Sequence, residues 1–408
     1  MMSAGGRPGG NPAGQAGTKT GKLPVNAMKR SVLGQIRTKR REVLSGAGMG
    51  EDCAIFSSGP EEETAVCVQE AVLCIGRTGI ALSVAACAGQ EAGTVVSPEN
   101  GLQSDCIGQD RAAASAEREE LCGQPVQDAA ARRPVWEAVM TLADLIVKCA
   151  NNLAAGGARP VAVLPALLLP ETVQEPEIRA LMAQAEEKCA ELSLEIAGGQ
   201  TRVTSAVSAP LATVTAYGVA AKGQNHSVRA AAPGQDVVLS KWIGLEGTAR
   251  IAEICHGQLL ERYPAWLVEE AAGFGRYLSV LPEAEAAVKF GVCAMHDASE
   301  GGILGALWEL AEGAGTGLSV DMRRLPLRQE TVEVCECCGV NPYELLSGGC
   351  LVMTAWDGQG LAAALEAAGI PATVVGKITG GNDRILKNGE ETRYLDRPRR
   401  DGIYRIAR

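Results

Sequence analysis

The sequence predicts an α/β (α+β) protein of two domains, on three observations. The chain has 408 residues, more than one ordinary core encloses. Strand-like apolar runs and amphipathic helical stretches interleave along it. A polar, Gly/Ala-containing connector at 221–232 is followed by Pro233-Gly234-Gln235-Asp236 and a fresh strand at Val237–Ser240, which sets the domain boundary there.

Composition narrows the class. Hydrophobic residues make up 46% and aromatics only 3%, so both cores must be aliphatic. A net charge of -10 disfavours non-specific nucleic-acid binding. It leaves room for a mononucleotide held by a local set of backbone amides. No apolar run reaches the roughly eighteen residues of a membrane span. Residues 1–21 read as a Gly/Ala/Pro/Thr-rich disordered tail, not a leader. A cytoplasmic protein is expected, with neither nucleic acid nor membrane as partner.

The first domain spans 22–221. It opens with a helical lead-in over Leu23–Leu44, whose basic run Arg37–Arg41 reads as a solvated face. A glycine turn, Gly46 to Gly50, runs through Glu51-Asp52 into a short strand ending near Phe56, and a second strand follows at Thr64–Val68. Residues 89–133 lack apolar periodicity and read as an inserted, poorly ordered loop. Next come a helix over Val135–Leu153, a buried strand over Val161–Leu169, an amphipathic helix over Glu175–Leu192, and the segment Leu194–Ala197. That segment leads into a tight turn, Gly198-Gly199-Gln200-Thr201, and a strand at Ala212–Val219. The second domain, 233–393, alternates helix and strand to about Ile378, and 394–408 reads as a charged tail.

The 14 cysteines are scattered, mostly inside apolar stretches, where thiols act as small hydrophobes. One cluster, Cys335, Cys337 and Cys338, lacks the paired spacing and His partners of a metal site; the chain has only three His. It reads as part of an ordinary helix.

The strongest chemical signal is the run from Met295 to Ala311, MHDASEGGILGALWELA. A strand ends near Met295, an acidic turn follows, and Gly301-Gly302 open a helix with Leu304, Leu307, Leu310 and Ala311 on one face. Free N–H groups and the positive end of the dipole make such a start an anion site. The other reading is Asp297 or Ser299 as N-cap, with glycines for close packing. In the first domain, Glu51-Asp52 could hold a phosphate-bridging Mg²⁺. The stretch Asn151-Asn152-Leu153-Ala154-Ala155-Gly156-Gly157 ends a helix in a glycine cap, and Gly198–Thr201 forms a turn after a strand. A cap or turn accounts for each alone.

In order, GEDCA, NNLAAGGARP, AGGQT, PGQDVVLSKWIGLEGTA, AMHDASEGGILGALWELAE and VVGKIT resemble the PurM-like (AIR synthase-related) superfamily. Within it the chain is most similar to the HypE-like hydrogenase-maturation branch. The resemblance runs from Gly21 to about Arg405, apart from 89–133. It implies a first domain whose mixed sheet pairs with a second copy as a dimeric barrel, beside a C-terminal α/β sandwich domain. It implies ATP in the cleft between the domains, on Asn152, Gly198, Gly199, Gln200, Thr201, Asp297, Glu300, Gly301 and Gly302. Mg²⁺ would sit on Asp52 and Glu51. Implied partners are the nucleotide, a second copy and another maturation protein. The implied activity is ATP-dependent activation of an amide or carbonyl oxygen.

The chain departs from the pattern in several places. Where the family has a second aspartate after a strand, Val68-Gln69-Glu70-Ala71-Val72 offers Glu70 or, without a gap, Val72. Asn152 stands where an acid is expected, and Gln200 follows the paired glycines. Neutral amides hold Mg²⁺ less well than carboxylates. The branch's terminal cysteine is not matched in Asp401–Arg408, so chemistry on a group carried by its own tail is not expected. The alternatives are a catalytically degenerate member that senses a nucleotide or binds a partner, and a purely structural dimer.

Overall fold

The computed structural model describes residues 25–27, 29–30, 33, 41, 43–45, 49–58, 62–73 and 140–406. The expected tail over 1–21, the insertion over 89–133 and most of the basic run lie outside the described residues. Within the expected lead-in helix, Val25–Ala27 is helical (α1), but Val43–Ser45 is a strand (β1). It pairs antiparallel with β2 (Ala54–Ser57), Val43 opposite Phe56. Tertiary pairing of a β-branched residue overrides the helical reading there.

The described residues form two seven-stranded sheets. The first continues with β3 (Glu62–Val72), helix α2 (Leu142–Ala155), β4 (Arg159–Leu169), helix α3 (Glu175–Glu191), β5 (Glu195–Ile196), β6 (Gln200–Val203) and β7 (Leu211–Ala221). Its order is β1-β2-β3-β7-β4-β5, with β6 also on β4, and β4 runs parallel to β5 and β6. Helix α2 starts where Thr141 and Asp144 cap each other reciprocally. Its apolar face, Leu145, Ile146, Cys149 and Leu153, packs on Val163, Leu167, Val214 and Ala216. Each Leu, Ile or Val among them contributes about 1.5–3 kcal/mol on burial.

The second sheet comprises β8 (Asp236–Ser240), β9 (Ala294–Ala298), β10 (Gly317–Asp321), β11 (Cys350–Ala355), β12 (Ala372–Thr379), β13 (Arg384–Asn388) and β14 (Glu391–Tyr394), in the order β14-β13-β10-β12-β8-β11-β9. Only β10 and β13 pair in parallel. Interleaved are α4 (Leu245–Ile254), α5 (His256–Arg262), α6 (Ala265–Ala272), α7 (Leu281–Phe290), α8 (Gly302–Ala314), α9 (Gln329–Cys338) and α10 (Gly358–Ala367). Strands β9 and β11 are buried along their whole length. One face, Cys350 and Val352, packs with Leu307 and Leu310 of α8; the other, Leu351 and Met353, packs with Ala284 and Ala287 of α7 and Leu361 and Leu365 of α10.

The reading of 394–408 as a tail is corrected. Residues 402–405 form a 3-10 turn, and Asp401, Gly402, Ile403 and Tyr404 are buried. Ile403 and Tyr404 dock on Ile251, Val334, Val340 and Leu345, apolar surface that would otherwise face water. The hairpin β13–β14, beyond Ile378, turns on Gly389-Glu390 with φ +65° at the glycine. The end of α2 joins the second core through Ala154 and Ala155, which pack with Val238 and Met295. This contact fixes the first domain against β9.

Candidate functional site

Strand β9 delivers His296 and Asp297 to a cleft of about 540 Å³ between the two domains, within the range of small-ligand pockets. Asp52 faces them from the turn before β2. That turn needs Gly50, at φ +73°, because a Cβ there would meet the Glu309 carbonyl oxygen at 2.7 Å. Lys148 and Asn152, one turn apart on α2, supply the remaining wall, with Glu70 at the rim.

A buried charge cluster organises the floor. His296 Nδ1 lies 3.0 Å from Asp52 Oδ2, and Nε2 lies 3.3 Å from Glu309 Oε2. Burial opposes charge on this ring, but Asp52 and Glu309 outweigh it and push its pKa up to about 10. The ring is therefore an imidazolium that donates at both nitrogens. The Asp297 N–H also donates to Asp52 Oδ2, at 3.2 Å. Burial, reinforced by Asp52, holds the Asp297 carboxyl well above the usual carboxylate range, against the pull of Lys148 and His296. Its Oδ1 is buried with no hydrogen-bond partner among the described residues. Burial works against charge on Lys148 too, but Glu246, at 2.9 Å, and Asp297 raise its pKa and keep it an ammonium.

The residues singled out by sequence are partly assembled here. Glu51, Asp52, Asn152, Asp297, Glu300 and Gly301 line the cleft. Glu51, however, is engaged by Arg229 at 2.7 Å and Ser227 Oγ at 2.9 Å, so it ties the first domain to the connector. Asn151 is structural: its Nδ2 donates to Leu278 O and its Oδ1 accepts from Val280 N. Gly198, Gly199, Gln200 and Thr201 are exposed on and beside β6 and do not line the cleft. Gly302 is demanded by packing, since a Cβ would sit 2.6 Å from Tyr343 O and 2.7 Å from Leu345 N, at φ +65°.

The cap of α8 also differs from the alternatives weighed on sequence. Gly301 is the N-cap residue, at φ +93°, and neither Asp297 nor Ser299 caps the helix with its side chain. The carboxylate comes from 401: Gly301 N–H donates to Asp401 Oδ2 at 2.7 Å, while Leu346 and Ile403 N–H donate to Oδ1 at 3.2 and 2.9 Å. Burial is the main reason the Asp401 carboxyl is raised to about 7. Tyr404 OH donates to Glu300 Oε1 at 3.0 Å, and Arg399 and Arg400 place basic groups at the cleft. Lys148 and Asp401 were missed on sequence. Lys148 lies four residues before Asn152, a spacing that could have flagged it; Asp401 carries no local signal.

Comparisons with known proteins follow this geometry. Residues 138–220 match the family model for the N-terminal domain of AIR synthase related proteins, and 232–387 match the model for the C-terminal domain. The chain belongs to the AIR synthase-related family. In its HypE-like branch, the carbamoyl dehydratase HypE of Rhodobacter capsulatus is 29% identical over 233 residues, 56% of this chain and 66% of that protein. HypE of Rhizobium leguminosarum is 24% identical over 243 residues, 58% of this chain and 67% of that one. The chain thus spans about two thirds of the length of these relatives. Among solved structures, the HypE–HypF complex gives a TM-score of 0.61 at 16% identity, covering 91% of this chain and 99% of that one. HypE in complex with ATP gives 0.53 at 18% identity, covering 62% and 78%. These likenesses establish the PurM-like fold. No helix among the described residues is long and apolar enough to cross a membrane.

Proposed function

We propose that the cleft binds ATP and that this AIR synthase-related chain activates an amide or carbonyl oxygen in hydrogenase-maturation-type chemistry. The observation carrying this reading is the unpartnered, buried Asp297 Oδ1 in an interdomain cleft with Lys148 nearby. An unsatisfied buried acceptor beside cations is suited to a ligand that brings its own cation and anionic oxygens. In the reaction, the substrate oxygen attacks the γ-phosphorus, the bond to the β–γ bridging oxygen breaks, and ADP leaves. The phosphorylated oxygen then departs as phosphate when a carboxamide nitrogen gives up its protons. Lys148 and the Arg399–Arg400 lip would balance phosphate charge, and the His296 imidazolium would hold Asp52 in position.

The residues fit Mg²⁺ only as a nucleotide-borne ion. No group of three or more His, Cys, Asp or Glu among the described residues is arranged to hold a metal. The Asp52 and Asp297 carboxylates match the one or two that Mg²⁺ takes beside phosphate oxygens. The ion would neutralise phosphate charge there. Asn152 is the amide in reach, so Mg²⁺ should strengthen binding only modestly.

A second copy and a further maturation protein are the proposed partners. A HypE is found in complex with HypF. The bare face of the first sheet supports a homodimer. On it, Val68, Thr215 and Leu164 lie side by side, with Val66, Tyr217 and Ala162 in the next row.

Isothermal titration with ATP, with and without Mg²⁺, followed by an ADP-release assay, tests the reading. Binding with slow ADP release is expected. Binding without turnover would favour the nucleotide-sensing alternative, and no binding at millimolar ATP would overturn the assignment.

A further inference from the structure

The cleft leaves unused the cysteine cluster of α9. Cys255 ends α4 and begins α5. Cys338 is the last residue of α9, which packs against α4. The three thiols Cys255, Cys337 and Cys338 are part-exposed and all border the same apolar cluster. Cys338 lies within side-chain hydrogen-bonding reach of both Cys337 and Cys255. The fourth, Cys335, is buried, and burial pushes its thiol up to about 12, so it stays inert.

We propose that Cys255 and Cys338 are a thiol pair that closes to a reversible disulfide on exposure to a peroxide. The donor from Cys338 overcomes burial and lowers the Cys255 pKa, which marks Cys255 as the attacking sulfur. Its thiolate attacks one peroxide oxygen, giving a sulfenic acid and releasing hydroxide, which takes up the proton as water. The Cys338 sulfur then attacks the sulfenic sulfur, its proton leaves with the departing oxygen, and a second water forms. Two thiols and one hydrogen peroxide thus become one disulfide and two waters, and a small dithiol reverses the step by exchange. Cys337 relays a hydrogen bond to the resolving sulfur and stays reduced. The bond would tie α4 to α9 in the wall that seats Ile403 and Tyr404. It is independent of the nucleotide reading, since none of these thiols lines the cleft.

The test is limited oxidation of the full chain with hydrogen peroxide, alkylation of the remaining thiols and peptide mass mapping. A Cys255–Cys338 cross-linked peptide that disappears on dithiothreitol treatment is expected. In Cys255→Ser the loss of the free Cys338 thiol should slow by a factor on the order of ten. Cys293→Ser, which removes another part-exposed thiol, should leave the link intact. A link joining other cysteines, stable over-oxidation of Cys255 without a link, or an unchanged rate in Cys255→Ser would each overturn the proposal.

Discussion

The two sheets bury their apolar residues in different ways. The second is covered on both faces, by α8 on one side and by α7 and α10 on the other, so β9 and β11 are buried along their whole length and β11 reads as a nearly continuous apolar run. Among the described residues, the first is covered by α2 and α3 on one face only. Its other face leaves Val68, Leu164 and Tyr217 at 55%, 40% and 37% exposure. Similar aliphatic material therefore gives a closed layer in one half and an open one in the other. A sheet left open in this way suits a further surface, for which we propose a second copy.

Substitution in the closed sheet should have the largest effect. Leu351→Asp, on β11, places a charge in the core packed by α7 and α10 and should cost more than about 4 kcal/mol, so that the second domain fails to fold cooperatively in a thermal melt. The matching change on the open face, Leu164→Asp, should cost the monomer fold under about 1 kcal/mol. It should instead convert a dimer to a monomer by light scattering. If Leu164→Asp unfolds the protein while its mass in solution stays that of wild type, the contrast between the sheets is wrong.

Gly302→Val comes next. It forces a Cβ onto the 343–345 backbone at positive φ and should lose roughly 3 kcal/mol, readable by urea denaturation. A smaller effect belongs to Asp401. Its folded pKa of about 7 lies above that of an ordinary carboxyl, so the protonated form is favoured in the fold. That contribution is complete below about pH 4 and fades as the pH climbs to 7. Asp401→Asn should flatten this part of the stability–pH curve; an unchanged curve would show that another group sets it. The smallest effect expected is Asn152→Asp, which should raise the Mg²⁺ enhancement of ATP affinity by a factor on the order of ten, measured by titration.

Legibility followed sequence distance. Helix α3 and strands β4, β7 and β8 were readable because their signals are local: three- and four-residue spacing in α3, alternation in β7 and short apolar runs in β4 and β8. Hairpin β13–β14 was missed although Asn388-Gly389 offered a turn signal; its strands are mostly polar and part-exposed. The motif around Gly301-Gly302 was visible, but the origin of its cap was not, since Asp401 lies a hundred positions downstream. The clasp between Asp52 and His296 spans 244 positions. Pairs so distant are set by packing of whole domains, which single-sequence patterns do not encode. Gly198–Thr201 read as a tight turn on sequence, whereas Gln200 and Thr201 open strand β6, and their link to a nucleotide rests on resemblance alone.

The position of Asp401 has a consequence for biosynthesis. Chains emerge from the ribosome N-terminus first, and domains fold as they appear. Helix α8 can form as soon as its own residues are free, yet its leading amide waits for a carboxylate translated a hundred residues later. The first domain can reach its fold during translation. The second stays provisional at the candidate site until residue 401 has been made, so a nascent chain stalled before that point would carry an uncapped, water-exposed helix start.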